Sequence, residues 1–187
     1  MNFEPFSGTC RGQINYPTNT AGPKTIGGYD AKKRPQYAKV CPEALNAMLA
    51  LGQAVQKTGL SPQLIELVNY RVSQLNGCTF CLDMHSKDLR ARGETEQRLY
   101  MISVWREAPH LYSDRERAAL AWAEAVTRLE NQEVPDAVYD AVSQKLSEME
   151  LAQLTLAIVA INGWNRFNVA FHTPAGNYKS SVKESAA

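Results

Sequence analysis

Three helix-start signals govern the middle of this chain and leave no room for a sheet. Ser113-Asp114-Arg115-Glu116 and Ser147-Glu148-Met149-Glu150 are capping boxes, in which serine and glutamate satisfy free backbone donors reciprocally. Ser61-Pro62 is a third start, with a capping serine and a proline suited to a first helical turn. Behind it Leu64, Leu67, Val68, Val72 and Leu75 recur at helical spacing and form one apolar face. Pro42 suits the start of an earlier helix and Gly59 its end. No alternating apolar pattern competes, so the expected fold class is all-α, a helical bundle.

Residues 1–36 stand apart. They are rich in Gly, Pro, Asn, Thr and Lys and show no helical period, which predicts an irregular N-terminal arm. Phe3, Phe6, Ile14 and Tyr16 could anchor such an arm across an interface between subunits. Residues 37–175 read as one helical domain and 176–187 as a C-terminal tail. At 187 residues with 44% hydrophobic content, the chain can bury a substantial core. A formal charge of +1 offers no basic stripe for nucleic acid. No run of eighteen apolar residues exists, and the N-terminus lacks the regions of a signal peptide, so a cytoplasmic location and no membrane contact are expected.

A faint internal repeat runs through the helical part. A shift of 86 residues places Ser61 on Ser147, Val68 on Leu154, Val72 on Ile158 and Asn76-Gly77 on Asn162-Gly163. The pattern predicts two similar helix hairpins packed around one core. In the second copy Glu66, Cys78, Cys81 and His85 fall on Ala152, Trp164, Phe167 and Phe171, so only the first retains polar chemistry.

That chemistry is concentrated in a short stretch. Cys78 and Cys81 form a Cys-Thr-Phe-Cys pair, and His85 follows four residues later. On a helix at 100° per residue, positions 78, 81 and 85 fall within roughly 60° of one another, so both sulfurs and the imidazole share a face. Asn76-Gly77 is a turn signal that ends one helix and lets the next begin near Cys78. A helix N-terminus favours a thiolate and lowers a cysteine pKa from about 8.5 toward neutrality. Glu66 lies twelve residues before Cys78, about 18 Å along a continuous helix, but a turn at Asn76-Gly77 lets it face His85 and orient the imidazole.

The run Glu66 to His85, reading ELVNYRVSQLNGCTFCLDMH, closely resembles the alkylhydroperoxidase D-like branch of the carboxymuconolactone decarboxylase family. The resemblance continues through GETEQRLYMISVWREAP and YSDRERAALAWAEAV to AIVAINGWNRFNVAF, roughly residues 37 to 175. It implies a small all-helical peroxidase assembled as a trimer or hexamer. By that resemblance Cys81 becomes the sulfenic acid, Cys78 resolves it to a disulfide, and His85 with Glu66 forms the proton relay. It also implies a hydroperoxide substrate and a lipoyl-type or thioredoxin-like dithiol donor. The best-known peroxidase of the family has a second histidine just before the second cysteine, where Phe80 stands here. The decarboxylase branch lacks the cysteine pair, which argues against lactone chemistry.

Other readings of the same residues stay open. The pair could pass electrons to a partner protein, or its disulfide could act as a sensor that alters packing or assembly. Zinc would need a fourth ligand from Cys10, Cys41, His110 or His172, and no second close pair supplies it, so no metal or other cofactor is expected. Leu82 stands where a haem-attachment motif requires histidine. Cys10 and Cys41 read as bystanders, His110 as a loop residue and His172 as a surface residue. Trp105, Trp122, Trp164, Phe167 and Phe171 read as core, with the option that some line an apolar pocket above the thiols.

Overall fold

The computed structural model describes residues 34–182, and its helices follow the predicted starts. In chain order they are α1 (Tyr37–Val40), α2 (Pro42–Gln56), α3 (Pro62–Leu75), α4 (Thr79–Ala91), α5 (Glu96–Met101), α6 (Asp114–Arg128), α7 (Asp136–Ser143) and α8 (Glu148–Ala170). Short 3-10 turns sit at Ile102–Val104, Pro109–Leu111 and Glu130–Gln132. No strand occurs among the described residues, so the all-α class holds. Phe3, Phe6, Cys10, Ile14, Tyr16 and nearly all of the expected arm lie outside those residues.

Ser61 Oγ accepts from the Leu64 N–H at 3.2 Å, and both capping boxes close reciprocally, with Ser113 and Ser147 as N-caps. Pro42 is the first residue of α2, but the helix ends at Gln56, ahead of Gly59. His110 lies in an exposed 3-10 turn and His172 is exposed just past α8.

The apolar face of α3 seals the centre of the bundle. Val68 and Val72 are fully buried and pack with Ala119 and Ala123 of α6 and with Leu154, Ile158 and Ile161 of α8. Leu67 turns to a second cluster with Ile102, Trp105, Tyr112 and Leu120. Burying each large aliphatic side chain contributes about 1.5–3 kcal/mol, so this seam fixes α3 against both neighbours. α4 packs on the remaining side of α3 and also touches α8.

The expected second hairpin is not formed. α8 runs without interruption through Asn162 and Gly163 to Ala170. Gly77 takes φ 63°, which suits a residue without a side chain, whereas Gly163 stays helical. A Cβ at Gly163 would lie 2.8 Å from Met48 Cε, so the bare backbone there seats α2 against α8. Asn162 Nδ2 donates back to the Ile158 carbonyl at 2.9 Å, within the helix. The repeat survives only as two helices with matching serine caps, packed side by side, and the matched residues Asn76 and Asn162 touch through a 2.9 Å hydrogen bond.

Candidate functional site

Cys78 is the pivot between α3 and α4. Its N–H donates to the Ser73 carbonyl at 3.0 Å while the Gly77 N–H donates to the Gln74 carbonyl at 3.2 Å, the paired bonds of a Schellman ending for α3. Its sulfur then caps α4, accepting from the Cys81 N–H at 3.3 Å. One residue thus ends one helix and starts the next, which is why the cysteine pair sits at a helix N-terminus. Cys78 and Cys81 are joined as a disulfide with their Cα atoms 5.3 Å apart. Their exposures are 1% and 0%. Phe80 and Met84 pack beside them and form an apolar wall.

The α3–α4 hairpin brings Glu66 to His85. Glu66 Oε2 lies 2.7 Å from His85 Nδ1, and His85 is buried. Burial pushes the Glu66 carboxyl up, but the neighbouring His85, the Arg92 charge and a hydrogen bond from Asn69 outweigh it and hold the carboxyl below its ordinary value. An ionised Glu66 accepts from Nδ1–H, which leaves Nε2 as the basic nitrogen. That Nε2 is buried and has no hydrogen-bond partner among the described residues. His85 lies one helical turn from Cys81 on the same face of α4.

The four residues expected from the sequence therefore form two adjoining pairs. Several neighbours were not expected. Asn168 of α8 donates from Nδ2 to Cys81 Sγ at 3.4 Å and accepts from the Tyr37 hydroxyl at 3.5 Å. Asn165 donates to Ser73 Oγ at 3.1 Å and, like Asn162, accepts from Asn76 Nδ2 at 2.9 Å, which braces the turn before Cys78. A signal existed for these residues: three asparagines at intervals of three, following the largely apolar run of Leu154 to Ile161. The aromatic set does not gather above the sulfurs. Trp122 and Trp164 belong to the central core, Trp105 to the second cluster, and Phe167 and Phe171 stack on each other and pack tilted against Tyr37. Cys41 is free and exposed at the start of α2.

The chain after α8 returns across α4. The Gly176 N–H donates to Asp83 Oδ2 at 2.9 Å, Lys87 Nζ donates to the Tyr178 carbonyl at 3.0 Å, and the Tyr178 hydroxyl reaches both Asp88 oxygens at 3.0 and 3.1 Å. Burial, then the charge and hydrogen bond of Asp88, push the Tyr178 phenol well above its usual 10.0. Tyr178→Phe is expected to cost about 1–3 kcal/mol, because the buried Asp88 carboxylate loses its donor. The phenol contributes stability in full below pH 10, and that contribution fades as pH rises toward the folded value. Urea midpoints at pH 7 and above pH 10 test this; a Tyr178→Phe chain with the parent's stability at pH 7 would remove the tail from the site's support.

An all-α bundle with a buried Cys-x-x-Cys at a helix N-terminus and a carboxylate-bound histidine one turn away is an arrangement able to carry thiol–disulfide chemistry. The model of the carboxymuconolactone decarboxylase family matches residues 42–125. The uncharacterised protein YdfG of Bacillus subtilis is 37% identical over 145 residues, spanning 78% of this chain and 98% of YdfG. A crystal structure of an Agrobacterium tumefaciens protein of unknown function, provisionally assigned as the antioxidant defence protein AhpD, is 42% identical with a TM-score of 0.75. The match spans 79% of this chain and all of that one. The debrominase Bmp8 shares the fold, with a TM-score of 0.66 at 18% identity over 74% of each chain. The chain belongs to the carboxymuconolactone decarboxylase family, in its alkylhydroperoxidase D-like branch. No helix among the described residues is long and apolar enough to cross a membrane.

Proposed function

We propose that this protein is a thiol peroxidase that reduces hydroperoxides through Cys78 and Cys81, with His85 and Glu66 as its proton relay, in antioxidant defence. The observation that carries the reading is His85 Nε2, buried with no hydrogen-bond partner among the described residues, on a side chain one helical turn from Cys81 whose Nδ1 is held 2.7 Å from Glu66. In the reduced pair, Nε2 takes the proton of Cys81 and the thiolate attacks the terminal peroxide oxygen. The O–O bond breaks, a sulfenic acid forms on Cys81, and the alkoxide leaves with the proton returned from Nε2. Cys78 then attacks the sulfenic sulfur, expelling water and closing the disulfide. An outside dithiol reopens it by exchange and is itself oxidised to a disulfide; a lipoyl-type or thioredoxin-like donor suits this step.

Peroxide turnover separates this reading from that of a disulfide oxidoreductase acting on a partner protein. Both need an outside thiol to reach sulfurs exposed by 1% and 0%, and only the peroxidase also consumes a small hydroperoxide. The apolar wall of Phe80 and Met84 favours an organic hydroperoxide over hydrogen peroxide. We expect steady-state consumption of an organic hydroperoxide with dihydrolipoamide as donor. Turnover no faster than in a chain without both cysteines would end the proposal. A homo-oligomer, trimer or hexamer, is part of the same reading. Val40 and Tyr100, each 66% exposed, and Met149, 71% exposed, supply apolar surface for such an assembly. Light scattering that returns the monomer mass would remove that part alone.

A further inference from the structure

The asparagines of α8 differ in what they bond. Asn162 donates to Thr127 Oγ1 at 3.0 Å and to the Ile158 carbonyl at 2.9 Å, and Asn165 donates to Ser73 Oγ at 3.1 Å. These are oxygen acceptors: Asn162 ties α8 to α6 and to its own preceding turn, and Asn165 braces the end of α3. Asn168 instead aims Nδ2 at Cys81 Sγ, 3.4 Å away, from a side chain only 4% exposed. A disulfide sulfur is a weak acceptor, so a buried carboxamide N–H pointed at one recovers less than its neighbours do. Stability gives no reason for the placement.

Reduction of the pair supplies one. When an outside thiolate attacks Cys78 Sγ, the S–S bond breaks and its electron pair passes to Cys81, whose sulfur becomes a thiolate facing the Asn168 N–H. A hydrogen bond to a charged acceptor is about twice as strong as one between neutral groups. The donor is in place before the charge develops, so no reorganisation is needed when it does. The Tyr37 hydroxyl, donating to Asn168 Oδ1 at 3.5 Å, keeps the N–H side turned to the sulfur. Cys78 has a different donor, the backbone N–H of Cys81.

We propose that Asn168 is a further catalytic residue of this site, donating to the Cys81 sulfur and selecting it as the leaving and attacking thiolate, with Tyr37 as a positioning residue. The proposal rests on the thiol-redox reading of the pair, and it names the group that makes the two sulfurs unequal.

The test uses no peroxide, so it stands apart from the turnover experiment. Iodoacetamide alkylation across pH in a Cys78→Ser background, followed at Cys81 by peptide mass, reads the Cys81 thiolate directly. Asn168→Leu should raise the midpoint by about one pH unit, a roughly tenfold loss of thiolate below it. Tyr37→Phe should shift it the same way by about two- to threefold. In a Cys81→Ser background, Asn168→Leu should change alkylation of Cys78 by less than about twofold, since Nδ2 does not face that sulfur. An unchanged Cys81 midpoint in folded Asn168→Leu, or an equal shift at both cysteines, overturns the assignment. Should Asn168→Leu fail to fold, Asn168→Ser and Tyr37→Phe carry the test, and an unchanged midpoint in both has the same force.

Discussion

Replacing Cys81 by serine is expected to slow hydroperoxide consumption by at least ~10³-fold, since a serine hydroxyl beside the same histidine is a far weaker nucleophile than a thiolate. Cys78→Ser should behave differently. Its Cys81 can still be oxidised once, so a single burst per chain and a trapped sulfenic acid on Cys81 are expected, with no further turnover until a reductant is added. The asymmetry follows from position: Cys81 lies one helical turn from His85 on a shared face, whereas Cys78 is the N-cap whose sulfur accepts from the Cys81 N–H. A burst that survives in Cys81→Ser, with the sulfenic adduct on Cys78, would reverse the roles and detach His85 from the attack. His85→Asn should cost about 10²–10⁴-fold in turnover, the range that a positioned proton-transfer group supplies.

Glu124→Ala is expected to cost about 3–5 kcal/mol of folding stability, the largest effect anticipated from a change away from the cysteines. Glu124 is 3% exposed and ties α6 to α3 and to the turn after α5. Its Oε1 accepts from Arg71 Nε at 2.7 Å and from Trp105 Nε1 at 3.0 Å, while Oε2 faces Arg106 at 2.5 Å. Truncation leaves the Arg71 guanidinium and the indole N–H buried without their acceptor. Arg106→Ala should cost no more than about 1 kcal/mol, because that side chain is mostly in solvent.

Glu124 also sets an acid limit. Burial raises the Glu124 carboxyl, but Arg106, Trp105 and Arg71 outweigh it and hold it below its ordinary 4.5. The unfolded chain therefore takes up the proton first, and stability falls as pH drops below 4.5 and on through the folded value. Urea midpoints at pH 7 and pH 4 read both effects. A Glu124→Ala chain within about 1 kcal/mol of the parent at pH 7 would mean that the cluster relaxes or admits water.

Much of the helix plan was legible because capping is local. Ser61, Ser113 and Ser147 reach backbone groups three residues ahead, so their pattern is written in adjacent letters. The break at Asn76-Gly77 was legible for the same reason. The identical dipeptide at Asn162-Gly163 misled, because nothing in its immediate neighbours records that Met48, from another helix, packs against the glycine. The Glu66–His85 contact could be argued only through the hairpin, and the family resemblance supplied the rest. Asn168 reaches Cys81 across 87 residues, and Tyr178 reaches Asp88 of α4 across 90. No spacing rule spans that distance.

By itself, the sequence determined the helical class, the turn that starts a helix at Cys78, and the one-turn spacing of Cys81 and His85. Each depends on hydrogen bonds and angles set within a few residues. Tertiary structure alone decided that α8 runs straight, that its third asparagine meets Cys81, and that the tail closes over α4. Those outcomes depend on which apolar faces meet when the bundle packs, a balance of buried surface between helices that no short segment contains.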